Sequence, residues 1–343
     1  MPGTGSSLGE LVGCANAQAP SLFTPLKIKS LTVPNRIGVS PMCMNSAVDS
    51  KPTNFHQVHY GALALRGPGL IIVECSAVSP DGINSSRDLG LWDEMTAKHH
   101  YSSIVEFAHQ HRGVIGCQLG SFKSPPIDHW SSEDIRASVD DWAKSSKLAV
   151  EVARYDFVEI QGSYGSPAQN FLFSATNHRQ DCYGGPPSNR MRYLLDLARS
   201  VKANVDRQVP IFMRLTDCEK SEEEGAWTQR DTIDLCLVLA QLGIDVVDIV
   251  FTYKRDLKLE GYLPRKQFLQ ELRHRLDGRG LKLNLASPTR VNDGLDAENT
   301  IKDSGLDLIL IGKKFLKDPT LVSAFASDLE VEISQPVQYH WGL

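Results

Sequence analysis

Short apolar runs rich in β-branched residues recur along the chain, each a few residues long and each closed by polar or glycine-containing sequence. They read "RIGVSP" (36–41), "LIIVEC" (70–75), "VIGCQLG" (114–120), "DFVEIQG" (156–162), "VPIFMRL" (209–215), "VVDIVF" (246–251), "LKLNLA" (281–286) and "LDLILIG" (306–312). Runs of this kind predict strands buried on both faces, as in a parallel sheet. Between them the apolar spacing changes to three and four. "EMTAKHHYSSIVEFAHQH", "SNRMRYLLDLARSVKANV" and "TQRDTIDLCLVLAQLG" predict helices, the last stopping at Gly243. "SSEDIRASVDDWAKSSKLAVEVARY" predicts another, with Ser131 or Ser132 as N-cap and an acidic first turn. "GLDAENTIKDSG" predicts a short helix ended by Gly305.

Eight strands alternating with helices over most of a 343-residue chain predict an α/β fold of the (β/α)8 TIM-barrel class. A doubly wound sheet is the rival. It calls for a glycine-rich fingerprint after its first strand, whereas here the first strand runs into Ser40-Pro41-Met42-Cys43. The first twenty residues, small and polar, are expected to be a flexible or loosely docked extension, and residues 21–343 a single barrel domain with a C-terminal tail.

Composition narrows the function classes. A net charge of -5 provides no basic footprint for nucleic acid and no polybasic membrane patch. No apolar run approaches the length of a membrane span. The seven cysteines form no C-x-x-C pair, which argues against a metal site or disulfide framework and for reduced thiols in a cytoplasmic protein. The start of the chain lacks the basic and apolar regions of a signal peptide.

In a barrel of this kind the active site lies at the C-terminal strand ends. The residues expected there are Met42, Cys43, Cys75, Gln118, Gln161, Tyr164, Arg214, Ala286, Ser287, Gly312 and Lys313. Small residues ending the seventh and eighth strands, with Lys313 after Gly312, suit a phosphate; a turn glycine beside a surface lysine is the plainer alternative.

Several long segments also carry a resemblance. "SLFTPLKIKSLTVPNRIGVSPMCMNSA", "HYGALALRGPGLIIVECSAVSPDGINSSRDLGLWDE", "NHRQDCYGGPPSNRMRYLLDL", "MRLTDCE", "LILIGKKFLKDP" and the terminal "PVQYHWGL" resemble the Old Yellow Enzyme family of FMN-dependent ene-reductases. The bacterial-type branch with a cysteine beside the flavin is the nearer match. The resemblance runs from about Ser21 to the end of the chain and implies FMN at the mouth of the barrel, with NADPH as reductant. It assigns Ser40, Pro41, Met42 and Cys43 to the flavin side and puts Cys75 where the family usually has alanine. It gives Gln118 and Arg214 to the flavin's polar edge, where a cation stabilises negative charge on the reduced ring. Gly312 matches a phosphate-loop glycine, and Lys313 replaces an arginine, keeping the charge but losing the fork. Ala286 and Ser287 lie in "LASPTR", which replaces a more glycine-rich cofactor loop.

The departures fall on the substrate side. Where the family has a His-x-x-His or His-x-x-Asn pair, this chain has Gln161 and Tyr164; the proton-donor tyrosine position is Ser166, and a substrate-facing tyrosine is Asn45. The family's H-A-G-R after the third strand is Gly120 to Lys123, and the loop after it is shortened. Amide and phenol are both neutral donors, and a phenol is a legitimate general acid, so Gln161 and Tyr164 are the catalytic candidates. Two functions follow as expectations. One is an FMN-dependent oxidoreductase acting on a conjugated carbonyl or imine-like intermediate of a specialised biosynthetic pathway. The other is a redox-neutral isomerase or cyclase on the same barrel. The partner expected is a small-molecule substrate; His340 and Trp341 in the tail leave a homo-oligomer open.

Overall fold

Eight parallel strands close on themselves: β1 (Ile37–Val39), β2 (Leu70–Ala77), β3 (Ile115–Gly120), β4 (Phe157–Gly162), β5 (Ile211–Thr216), β6 (Val246–Val250), β7 (Asn284–Pro288) and β8 (Leu308–Ile311). Each pairs with its chain neighbours, and β8 pairs back onto β1 through Ile309 and Ile37, which completes the (β/α)8 barrel. The computed structural model describes residues 6–14, 18–122, 126–221, 223–251 and 263–342, with side chains up to Tyr339. Lys123 and the side chain of Trp341 lie outside the described residues.

Around the barrel run α1 (Asn54–Ala64), α2 (Ser102–Gln110), α3 (Ser132–Lys147), α4 (Arg192–Asn204), α5 (Gln229–Leu242), α6 (Arg265–Asp277), α7 (Gly294–Ser304) and α8 (Leu321–Asp328). Their boundaries follow the expected signals. The Ser131 hydroxyl accepts from Asp134 N at 3.1 Å while Asp134 reaches back to Ser131 N, a capping box that starts α3. Gly243 ends α5 in the left-handed region at φ 82°, where a Cβ would be penalised.

Successive strand residues point to opposite faces, so alternate positions fill the barrel in layers. The lowest layer is apolar: Leu70, Phe157, Phe212, Val246 and Leu308, with the Phe157 and Phe212 rings stacked at 4.3 Å. Gly116 makes room for it, since a Cβ there would lie 2.5 Å from the Phe157 ring. A hairpin of Leu26–Ile28 and Leu31–Val33 adds Leu26, Ile28 and Val33 to this cluster and plugs the N-terminal end. Only the C-terminal mouth is left for chemistry.

Part of the N-terminal extension is docked on the barrel. Leu11–Cys14 pairs antiparallel with Val331–Ile333, and Gly9 N donates to Ser334 O at 2.9 Å. The Asn35 amide donates to Gly9 O at 3.0 Å and to Gly67 O at 2.9 Å. Residues 6–14 are therefore docked, the second of the two forms expected for this segment. Apart from the Asn35 amide, the docking uses backbone groups, which do not register in side-chain composition.

Candidate active site

Above the apolar layer the inward positions change character. One step along each strand from Phe157, Phe212 and Val246 stand Glu159, Arg214 and Asp248, with Gln118 beside them on β3. All four are buried. Arg214 Nε donates to Asp248 Oδ2 at 2.5 Å, Nη2 donates to Ser40 Oγ at 3.1 Å, and Nε lies 3.7 Å from Glu159 Oε1. Gln118 Nε2 donates to Glu159 Oε1 at 2.7 Å. Two carboxylates thus share one central guanidinium, and Glu159 Oε2 and Asp248 Oδ1 have no hydrogen-bond partner among the described residues.

This imbalance shows in the ionisation of the group. Burial, with Asp248 adding to it, pushes Glu159 up to about 7 against the opposing pull of Arg214. Burial likewise raises Asp248, with Arg214 and Arg265 opposing. Burial works against the charge on Arg214, but Asp248 and Glu159 outweigh it and keep the guanidinium protonated. The linkage has a definite sign. A carboxyl raised from its ordinary 4.5 to about 7 binds more protons folded than unfolded. Its contribution is favourable below about 4.5 and is lost as pH rises through about 7. Glu159→Gln is therefore expected to flatten the decline in stability between pH 5 and 7.5, read by urea denaturation at saturating FMN. A variant whose pH profile matches that of the wild type would contradict this ionisation.

The mouth above this layer holds a cavity of about 980 Å³. Ser40, Pro41, Met42, Cys43 and Cys75 form one wall, and Gln118 and Arg214 the floor. Gln161, Ser163, Tyr164 and Ser166 stand on the β4 side; Pro288, Thr289, Arg290 and Val291 follow β7; Gly312, Lys313, Lys314 and Lys317 follow β8. Cys75 reaches the cavity through a β-bulge. The β2–β3 register shifts between Val73 and Ser76, so the inward parity set by Leu70 and Ile72 passes to Cys75 instead of Glu74. Glu74, turned outward, accepts from Met44 N at 2.7 Å and from the Tyr60 hydroxyl at 3.3 Å, anchoring the Ser40–Met44 segment to α1. Partial desolvation and the Glu74 and Asp88 carboxylates push the Cys43 thiol up to about 11, so it is protonated at neutral pH.

Most of the candidate site residues meet in this one cavity, and Ala286, Ser287 and Asn45 do not. The strand "LKLNLA" continues to Pro288, so Ala286 packs in the barrel interior with Val246, Leu308 and Leu310. Ser287 points the other way, donating to Ile249 O at 2.7 Å and accepting from Arg265 Nη2 at 2.8 Å. The cavity edge falls to Pro288–Val291 instead. Asn45, in a left-handed conformation at φ 51°, is exposed and outside the cavity lining. Ser166 does line it, but its hydroxyl accepts from Gln169 N at 3.3 Å as the N-cap of the short helix Pro167–Leu172. Glu159, Asp248 and Glu74 are absent from the sequence-based candidates. The signal for them was a charge in the middle of an apolar strand run, as in "DFVEIQG", "VVDIV" and "LIIVEC".

A closed barrel with hydrogen-bond donors on its floor and cations along one rim defines an enzyme built to hold an aromatic, phosphate-bearing cofactor. The profile of the NADH:flavin oxidoreductase / NADH oxidase family matches residues 21–124 and 123–332. The NADPH dehydrogenase of Bacillus subtilis (strain 168) is 31% identical over 94% of this chain and 99% of its own length. NADH:flavin oxidoreductase FG08077 of Gibberella zeae is 27% identical over 96% of this chain and 91% of its own. In fold, morphinone reductase superposes with a TM-score of 0.77 at 22% identity, covering 92% of this chain and 91% of that one. The Old Yellow Enzyme homologue of Zymomonas mobilis superposes at 0.76 and 22%, covering 94% and 96%. The chain belongs to the NADH:flavin oxidoreductase family, the Old Yellow Enzymes, which are FMN-dependent oxidoreductases using NAD(P)H as reductant.

The cavity fits FMN on its own chemistry. Gln118 and Arg214 suit the polar edge of the ring system, and Arg290, Lys313 and Lys317 suit the phosphate. Gly312 keeps the wall open, because a Cβ there would meet Met42 Sδ at 3.2 Å. Among the described residues no acidic, histidine or cysteine cluster has the arrangement of a metal site. No helix among them is long and apolar enough to cross a membrane.

Proposed function

We propose that this enzyme reduces a conjugated carbonyl or imine-like small molecule, an intermediate of a specialised biosynthetic pathway, and that Gln161 and Tyr164 hold the polar end of that substrate. The observation that carries the reading is their shared position. Both line the cavity that has Gln118 and Arg214 as its floor, three residues apart at the end of β4.

FMN, when bound, supplies the hydride exchange. The chain's own residues handle the charge that builds on the substrate oxygen. The Gln161 carboxamide oxygen accepts from Ser163 Oγ at 2.8 Å, which orients the amide and leaves its N–H₂ as the donor for a substrate carbonyl. The Tyr164 hydroxyl is a second neutral donor and the source of the proton for the α-carbon. It replaces both the family's second donor and the tyrosine missing at Ser166. The protonated Cys43 adds no competing nucleophile to the wall.

The test uses 2-cyclohexenone as a conjugated-carbonyl probe with the purified, FMN-loaded enzyme under anaerobic conditions. NADPH should bleach the flavin, and the enone should restore its colour. Gln161→Leu should slow the second step about 100-fold while leaving the first unchanged, the size of effect usual for losing one donor to a developing oxyanion. Equal rates in both proteins would sink the assignment of Gln161. Product formed without consumption of NADPH would point to isomerase or cyclase chemistry.

A further inference from the structure

We infer that Gln169 is a positioning residue for Tyr164. It pins the turn that carries the phenol to the end of β5. The inference rests on the role of Tyr164 proposed above.

Ser163 to Ser166 form a tight turn in which Ser166 N donates to Ser163 O at 3.2 Å. Its two central residues are both left-handed, Tyr164 at φ 53° and Gly165 at φ 76°. Positive φ at both central positions is the mark of a type I′ turn. Glycine adopts it freely, but tyrosine does so at a cost, because its Cβ crowds the backbone. Burial supplies little of the restraint, since Tyr164 is 70% accessible. A bare loop would relax out of this geometry and carry the phenol away from the cavity.

The restraint centres on one buried side chain, Gln169, with Asn170 adding to it. Gln169 Oε1 accepts from Gly165 N at 2.5 Å, and Gln169 Nε2 donates to Thr216 Oγ1, the last residue of β5, at 2.6 Å. Asn170 Nδ2 donates to Gly165 O at 3.2 Å from the same short helix. That helix is itself held at its start by the Ser166 cap. Gln169 is 7% exposed and spends both ends of its amide on this bridge. The turn is thereby tied to the strand bearing Arg214. The bridge explains how an exposed tyrosine is held over the cavity without being buried in it.

Gln169→Leu removes both bonds at similar volume and leaves the cavity-lining residues untouched. Hydrogen exchange of the Gly165 amide, read by mass spectrometry on the FMN-loaded protein, should accelerate at least about tenfold. Reoxidation of the NADPH-reduced enzyme by 2-cyclohexenone should slow about tenfold, with NADPH reduction and FMN retention unchanged. In a Tyr164→Phe background the same substitution should add less than about twofold, because a residue acting through the phenol has nothing left to position. Unchanged exchange, or an equal loss in both backgrounds, would overturn the inference. If Tyr164→Phe slows the enone step and Gln169→Leu does not, only the positioning role fails. If Tyr164→Phe is silent, or the enone is not reduced by the wild type, the proposed function fails; the exchange measurement then decides separately whether the pin exists.

Discussion

Arg214→Met is expected to destabilise the barrel by about 3–5 kcal/mol at pH 8 and to abolish FMN retention. That is the usual range for removing one partner of a buried ion pair. The size follows from what remains. Glu159 and Asp248 are both fully buried, and each already has one oxygen without a hydrogen-bond partner among the described residues. Arg214 is the cation that bonds Asp248 and faces Glu159, so its removal leaves two like charges in a layer capped below by Phe157 and Phe212. Methionine fills much of the volume, so the effect isolates charge rather than a cavity. Both carboxyls would respond by taking up protons at still higher pH than in the wild type. The loss should therefore shrink toward pH 5 and be largest above pH 7. Urea denaturation at pH 5 and pH 8, with FMN content measured by absorbance, checks both parts. Wild-type stability and retained flavin at pH 8 would show that the acid pair does not depend on this guanidinium.

Tyr164→Phe should lower the rate of enone-driven reoxidation by about 100-fold or more, within the usual range for a general acid. Stability and FMN retention should change little. The separation is clean for structural reasons. Phenylalanine faces the same left-handed backbone cost at φ 53°, and the turn bonds run through Ser163, Gly165, Gln169 and Asn170 rather than through the phenol. The reduction of the flavin by NADPH should be unaffected, since the hydroxyl serves the second half of the cycle. Stopped-flow measurement of the two half-reactions separates them. Equal slowing of both would point to a distorted cavity and not to a lost proton donor.

How much of this was legible beforehand varies with the physics of each feature. The eight strands were readable because burial on both faces demands unbroken β-branched runs, and Gly243, Gly305 and Ser131 were readable because helix ends require particular residues. The residues Gln161, Tyr164 and Ser166 were also visible as standing where the resemblance leads one to expect others. The bulge in β2 was not, because an extra residue in a ladder depends on the partner strand. Nor was the failure of Ala286 and Ser287 to reach the cavity, since that turns on two further residues of pairing to β8. The docking of Leu11–Cys14 depended on an edge strand more than three hundred residues away.

The sequence alone therefore determined the barrel, the family and the set of strand ends from which a site had to be drawn. Those are consequences of local pattern and motif, which each segment carries with it. Tertiary structure decided which of those residues share a cavity, that two buried acids compete for one arginine, and that a glutamine bridge holds Tyr164. Each of these depends on distances between strands and loops far apart in the chain, where register and side-chain parity, rather than residue type, set what meets what.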